Sequence, residues 1–575
     1  MNGFFLRLSF LVLVVLFLSC GVQPRAVLFP VRGTNAALSG LSREASAGTL
    51  DFSAGLKSKA KKLEYRFESA HLISSAASLE IEYVFNVPPA LEIKEHYQLI
   101  LEAGEHSWVL PMDFSFLGID HAGGVFHYAI PIVDSIPRQF SIMLAPLEPK
   151  AKRIRLTNIE FPVFQIRSLA ITERWFGFYS IPGNNDASGA GPEHFFATPF
   201  VYMRENELII DPPPRFSAGD SVQQPLLSLE LSAGRDAAVA AGNMRFEALQ
   251  YLQRLNVPAG IIPPGAGPFA ASGDRIAAFR LSYAAPLPFP APISADPGMI
   301  LAWPAERWRD RRYELFRWEQ FPSLLIFDFA DYNVQDRFLK RLAFFTEKAG
   351  FRGRLAHDAE IADLHGWNAH DYRAADLARF FETVRSADFP LLAEERELEQ
   401  ILLNAGIIRR SNSGSIHSGE GGIISVSRES PDYLRARFMV HESFHGIFFI
   451  DEDFRAFTQN RWAHLDAQAK RFIVSYFDYQ RYDIQDEYLV VNEFMAHILQ
   501  QSVLQAGGYF GQQLPAIIES SPWRRTVLPE KDIASSSWPS LASAFTREAE
   551  AFSAYVNQRW GLAAGRVRLV TVRLP

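Results

Sequence analysis

Cysteine is almost missing. The 575-residue chain has one, so no intramolecular disulfide can form and stability has to come from buried apolar surface. An excess of basic residues is missing as well: the formal net charge is −7 at pH 7, which leaves no broad cationic field for a phosphate backbone and argues against nucleic acid as a partner. Beyond the first stretch of the chain, no apolar run approaches the ~20 residues that a bilayer-spanning helix needs. No repeat of solenoid length stands out either. What the chain does have is aromatic area, with 47 Phe, 18 Tyr and 10 Trp among 48% hydrophobic and 21% charged residues. That is a globular composition, and at roughly 100–200 residues per domain it implies about three or four domains.

The single cysteine is Cys20. Arg7 precedes an apolar run from Leu8 to Leu18, which is short for a membrane span and ends at Ser19-Cys20. This segment resembles a bacterial lipoprotein signal, which is cut before the cysteine so that the thiol can be acylated. Leu18, Ser19 and Gly21 fit that pattern, while Phe17 stands where an aliphatic residue is usual. The resemblance implies a signal peptide over 1–19 and lipidation at Cys20. It also implies a tether and linker over 20–62, and a place at the bacterial cell envelope, facing the periplasm or the cell surface.

Further along, Leu63-Glu64-Tyr65-Arg66-Phe67 and Leu79-Glu80-Ile81-Glu82-Tyr83 alternate with period two. This predicts an antiparallel β-sandwich module over 63–168. A second β-rich module follows over 169–304, punctuated by Pro286, Pro288, Pro290 and Pro292. Modules of this kind act as spacers or contact glycans, and fold alone does not choose between those roles. From 305 to 575 the pattern becomes mainly helical, an α+β domain with a buried strand at Ser323–Phe327 and helical periods over Asp371–Val384 and Ala393–Leu403.

The strongest local signal is His441-Glu442-Ser443-Phe444-His445. In a helix the two histidines differ by about 40° in direction, so both can bind one metal from one face, and Glu442 can take a proton from a water beside that metal. Zn2+ lowers the pKa of such a water to about 7. Ser430 and Pro431 supply helix-start chemistry upstream, and Phe444, Ile447 and Phe448 can fill the core side. A third ligand is needed. Glu493, on the apolar face Val490, Glu493, Ala496 and His497, is the best candidate, because a carboxylate there is costly unless paired or metal-bound.

These residues resemble the gluzincin metallopeptidases, which pair HExxH on one helix with a glutamate on a later one. The resemblance covers about residues 415–500. It implies His441, His445 and Glu493 as zinc ligands, Glu442 as general base, and a peptide or protein substrate. Several gluzincins carry an aspartate four residues after the ligand glutamate, and His497 stands there instead.

Other readings compete. Asp451 sits where a metzincin places its third ligand, and His464, Glu487 and His497 are further candidates. Tyr476, Tyr479, Tyr482 and Tyr488 can each assist a transition state. The strand Ile423–Ser427 is either a substrate-binding edge strand or an ordinary one. Asp328 and Asp331, at the end of a strand, form a second candidate site for glycan chemistry, with Trp303, Trp308 and Trp318 as a sugar platform or core. The alternative to a peptidase is a non-catalytic envelope lipoprotein that binds glycans or proteins through a degenerate metal site.

Overall fold

The computed structural model describes the strands between residues 26 and 222. From 224 to 574 it describes everything except 263–267, 521–537 and a few single positions. Cys20 and residues 1–19, where a signal peptide is expected, lie outside the described residues. The chain divides into two compact units, the first comprising 1–245 with 253–286 and the second 246–252 with 287–574. The division falls within the Pro-rich stretch.

The first unit is made of β-sheets. One has the order 26–27, 164–172, 77–85, 125–132, 194–197, antiparallel except for its last pair, which is parallel. A five-stranded antiparallel sheet has the order 29–30, 61–66, 139–146, 97–103, 106–110. The alternation in the sequence has a physical counterpart here: Ile81, Tyr83, Leu99 and Leu101 are buried at every second position, as a two-residue side-chain period requires. Farther along, 176–180, 276–284, 224–231 and 254–257 form another antiparallel sheet.

The second unit adds helices around a five-stranded mixed sheet with the order Ile293–Ala295, Tyr313–Trp318, Leu324–Phe329, Gly422–Ser427, His370–Arg373. Leu324–Phe329 is the buried strand expected from sequence, and its two faces serve different cores. Leu325, Phe327 and Phe329 join Phe338, Leu342, Phe345, Phe380 and Leu402 from the helices Tyr332–Thr346, Ala374–Ser386 and Ala393–Ala405. Leu324 and Asp328, on the opposite face, meet the helix Asp432–Ile450 that carries the histidine motif.

The segment starting at Asp371 begins as a strand, not as a helix. His370–Arg373 pairs antiparallel with Gly422–Ser427, and the helix starts only at Ala374. Gly422–Ser427 in turn pairs on its other side with Leu324–Phe329. It is therefore an internal strand whose backbone is already satisfied, and the edge is His370–Arg373.

Asp328 is completely buried and accepts from Arg428 at 2.9 Å and from Arg435 at 2.6 Å. Arg435 lies in the first turns of the motif helix and also donates to the carbonyls of Ile300 and Leu301. Asp331 caps the helix Tyr332–Thr346 by accepting from Val334 N–H at 2.7 Å. Trp303 and Trp318 are fully buried, and Trp308 lies under the Arg428 guanidinium. The candidate glycan site is thus an ion-paired anchor, a helix cap and core.

Changing Asp328 to Asn leaves two guanidinium groups without their counter-charge. We expect a loss of about 3–5 kcal/mol, the usual cost of breaking a buried pair from one side, readable by denaturant unfolding of the full chain.

Candidate metal centre

The motif helix starts at Asp432, one residue later than its sequence suggests, because the Ser430 hydroxyl is hydrogen-bonded to Tyr332 Oη at 2.6 Å and does not cap the helix. Phe444, Ile447 and Phe448 fill the core. Gly446, directly after the second histidine, brings the helix against the sheet: a Cβ there would lie 2.8 Å from Leu324 Cδ1. Glu493 comes from the helix Glu487–Leu499, whose first turn is capped by Asp486 accepting from Tyr488 N–H at 3.0 Å.

These two helices bring His441, His445 and Glu493 together, with one candidate ligand atom from each within 4.8 Å of the others. His445 Nε2 is 3.0 Å from His441 Nε2. Glu493 Oε2 is 3.6 Å from His441 Nε2, and Glu493 Oε1 is 3.8 Å from His445 Nε2. Tetrahedral zinc with bonds of ~2.0–2.1 Å separates its ligand atoms by about 3.4 Å, so the triangle brackets the size of a metal polyhedron. Glu493 Oε2 is buried and accepts no hydrogen bond, as a position waiting for a cation would be. The buried group can hold a metal ion.

The electrostatics agree. Burial pushes the imidazoles of His441 and His445 down to about 4, so both are neutral at pH 7 and have lone pairs to offer. Burial raises Glu493 to about 7. Glu442 is pushed well above the ordinary carboxylate range, first by burial and then by the charges of Asp371 and Glu493. Three acids and two imidazoles in one buried site lack a positive charge, which a divalent cation would supply.

Asp371 is the residue that sequence reasoning missed. It projects from the edge strand, hydrogen-bonds Glu442 and places Oδ2 at 3.9 Å from His445 Nδ1, forming with these two a second candidate metal-binding group. The alternation of His370, Asp371 and Tyr372 was the available signal, with His370 and Tyr372 buried on one side and tied by a 2.8 Å hydrogen bond.

His497 lies one helical turn beyond Glu493, at the position where several gluzincins carry an aspartate. Gln500 Nε2 donates to its Nδ1 at 3.0 Å, which leaves Nε2–H facing Glu493 Oε2 at 3.8 Å. Its ring is thus set by Gln500 and faces the acid. The Nδ1 atoms of His441 and His445 find no partner at full hydrogen-bond geometry, although Gln500 and Asn492 lie close enough to favour their charged forms.

The other candidates are accounted for elsewhere. Asp451 caps the helix Glu452–Ala463 and pairs with Arg559 at 3.1 Å. His464 bonds the Asn460 carbonyl at the surface, and Glu487 is exposed. Among the tyrosines, Tyr482 hydrogen-bonds Glu493, Tyr476 packs on His497, and Tyr488 lies against Arg373.

No protein-family model matches this chain, and no curated protein aligns with it significantly.

Purified protein dialysed against a divalent transition metal should retain it stoichiometrically by elemental analysis. His445→Ala and Glu493→Ala should lose it, and His464→Ala should keep it.

Proposed function

We propose that this protein is a zinc-dependent peptidase with a gluzincin-like catalytic core, lipid-anchored through Cys20 at the bacterial cell envelope. The first unit's sheets serve as β-sandwich modules that space the catalytic unit from the membrane and offer surface for glycan contact. The observation that carries the reading is the convergence of His441, His445 and Glu493 from two helices, with Glu442 on the same helix as the histidines and buried beside them.

A bound zinc ion would polarise the scissile carbonyl and make a water acidic enough to be deprotonated near pH 7. Glu442 Oε accepts that proton as the water oxygen adds to the carbonyl carbon, then delivers it to the amide nitrogen as the C–N bond breaks. Asp371, hydrogen-bonded to Glu442, fixes the carboxyl's orientation. Tyr482 holds Glu493 through its hydroxyl. An extended substrate adds to the outer side of His370–Arg373, the terminal strand of its sheet, so that its backbone runs past Asp371.

Glu442→Gln keeps the shape and removes the base. Cleavage of an unbiased peptide library, followed by mass spectrometry, should fall by about 10²–10⁴-fold while metal content is unchanged. Equal cleavage by both forms, or wild-type protein without stoichiometric zinc, sinks the proposal in favour of a non-catalytic binding protein. In cells, Cys20→Ser should abolish labelling by a fatty-acid analogue and move the protein out of the membrane fraction; continued labelling would refute the anchor.

A further inference from the structure

A cavity of about 210 Å³ lies beside the metal centre, between the motif helix, the turn after the Glu493 helix and the segment Gly565–Arg568. Its walls include Leu301 and Val440, and its polar lining includes Gln500 and three arginines, Arg437, Arg566 and Arg568. Val440 directly precedes His441. Arg437 is four residues before His441, one helical turn or ~6 Å along the same face. Gln500 lines the cavity, and its amide also bonds His497 Nδ1 at 3.0 Å and Tyr509 Oη at 3.2 Å.

The cavity carries a cationic surplus. None of the three arginines forms an ion pair among the described residues, and the one hydrogen bond found for them runs from Arg566 to the Gly561 carbonyl at 3.1 Å. The carboxylate that acts on Arg566, Asp296, is fully buried, with its oxygens engaged by the N–H groups of Gly298, Leu569 and Val570. Arg566 and Arg568 repel each other, and burial together with this repulsion lowers the Arg566 pKa. Arg566, half-buried, and Arg568, exposed, stand two residues apart in the cavity lining, and guanidinium groups are donors suited to a carboxylate. Apolar walls below them suit the short aliphatic stem of such a ligand.

We propose that this cavity is a specificity subsite that takes a carboxylate of the substrate within one or two residues of the scissile bond. The spacing follows from the ~6 Å offset between Arg437 and His441, against ~3.3–3.6 Å per residue of extended peptide. The carboxylate belongs either to an acidic side chain or to the C-terminus of the peptide. The inference rests on the peptidase reading for its position relative to a scissile bond, and on the arginines alone for its ligand.

The test uses matched peptides that differ only in an internal Glu versus Gln and in a free versus amidated C-terminus. With the zinc-loaded full chain, kcat/KM should be at least tenfold higher for the form bearing the recognised carboxylate, and which pair differs identifies its source. Arg566→Gln/Arg568→Gln should erase the preference mainly through KM, and Arg437→Gln should reduce it. Calorimetric binding of the same peptides to Glu442→Gln protein in a chelator separates the two readings. Selective binding of the acid form without any cleavage by wild type refutes the peptidase and leaves the subsite standing. Equal binding of acid and neutral forms, or a preference untouched in both arginine variants, overturns the subsite.

Discussion

The second unit depends on how one helix is fastened to one sheet. Asp328 sits at the end of a central strand with no access to water, and it is tolerated there because Arg428 and Arg435 reach it from the motif helix and the loop leading to that helix. A buried carboxylate needs these partners, and the partners need it, so the start of the helix cannot slide along the sheet without stranding a charge. At the other end Gly446 removes the side chain that would hold helix and strand apart. Two contacts, one ionic and one steric, fix the rotation of the helix. That rotation turns Phe444, Ile447 and Phe448 into the core and leaves His441 and His445 toward Glu493.

The site held in this way is a poor contributor to stability. Burial keeps its imidazoles neutral and raises the pKa of its acids, which is the condition of groups that would rather be solvated. Satisfied cores avoid such groupings, and a chain keeps them where a ligand redeems them. The neighbouring Asp328 pairs show what a purely structural buried acid looks like here: both oxygens engaged by cations and no group left over. Glu493 Oε2 has no such partner, which distinguishes it from a fastener and leaves it free to take part in holding a metal ion.

Much of this was legible in the sequence because it is local. Helical spacing places His441 and His445 on one face wherever the helix lies, and the apolar setting of Glu493 shows that its burial has to be compensated. The alternation at Leu79–Tyr83 likewise reads directly as a strand with one buried face. What could not be read depends on strand order. Gly422–Ser427 has the composition of any buried strand, and only its pairing on both sides shows that it is not the edge. Asp371 reaches Glu442 because the chain inserts His370–Arg373 at that edge, a pairing between segments far apart in sequence. Asp328 looked like a candidate catalytic acid for the same reason: both of its arginines come from about a hundred positions downstream.

His497 shows how a neutral side chain serves beside a cluster of buried acids. An acid at this position would add negative charge to a pocket that already holds Asp371, Glu442 and Glu493. Neutral histidine adds none. Its orientation is set by Gln500 at Nδ1, so that it presents a donor to Glu493, and the amide that sets it also forms a wall of the arginine-lined cavity. Gln500 therefore lines the cavity and, through one hydrogen bond, sets the ring of the histidine that faces Glu493.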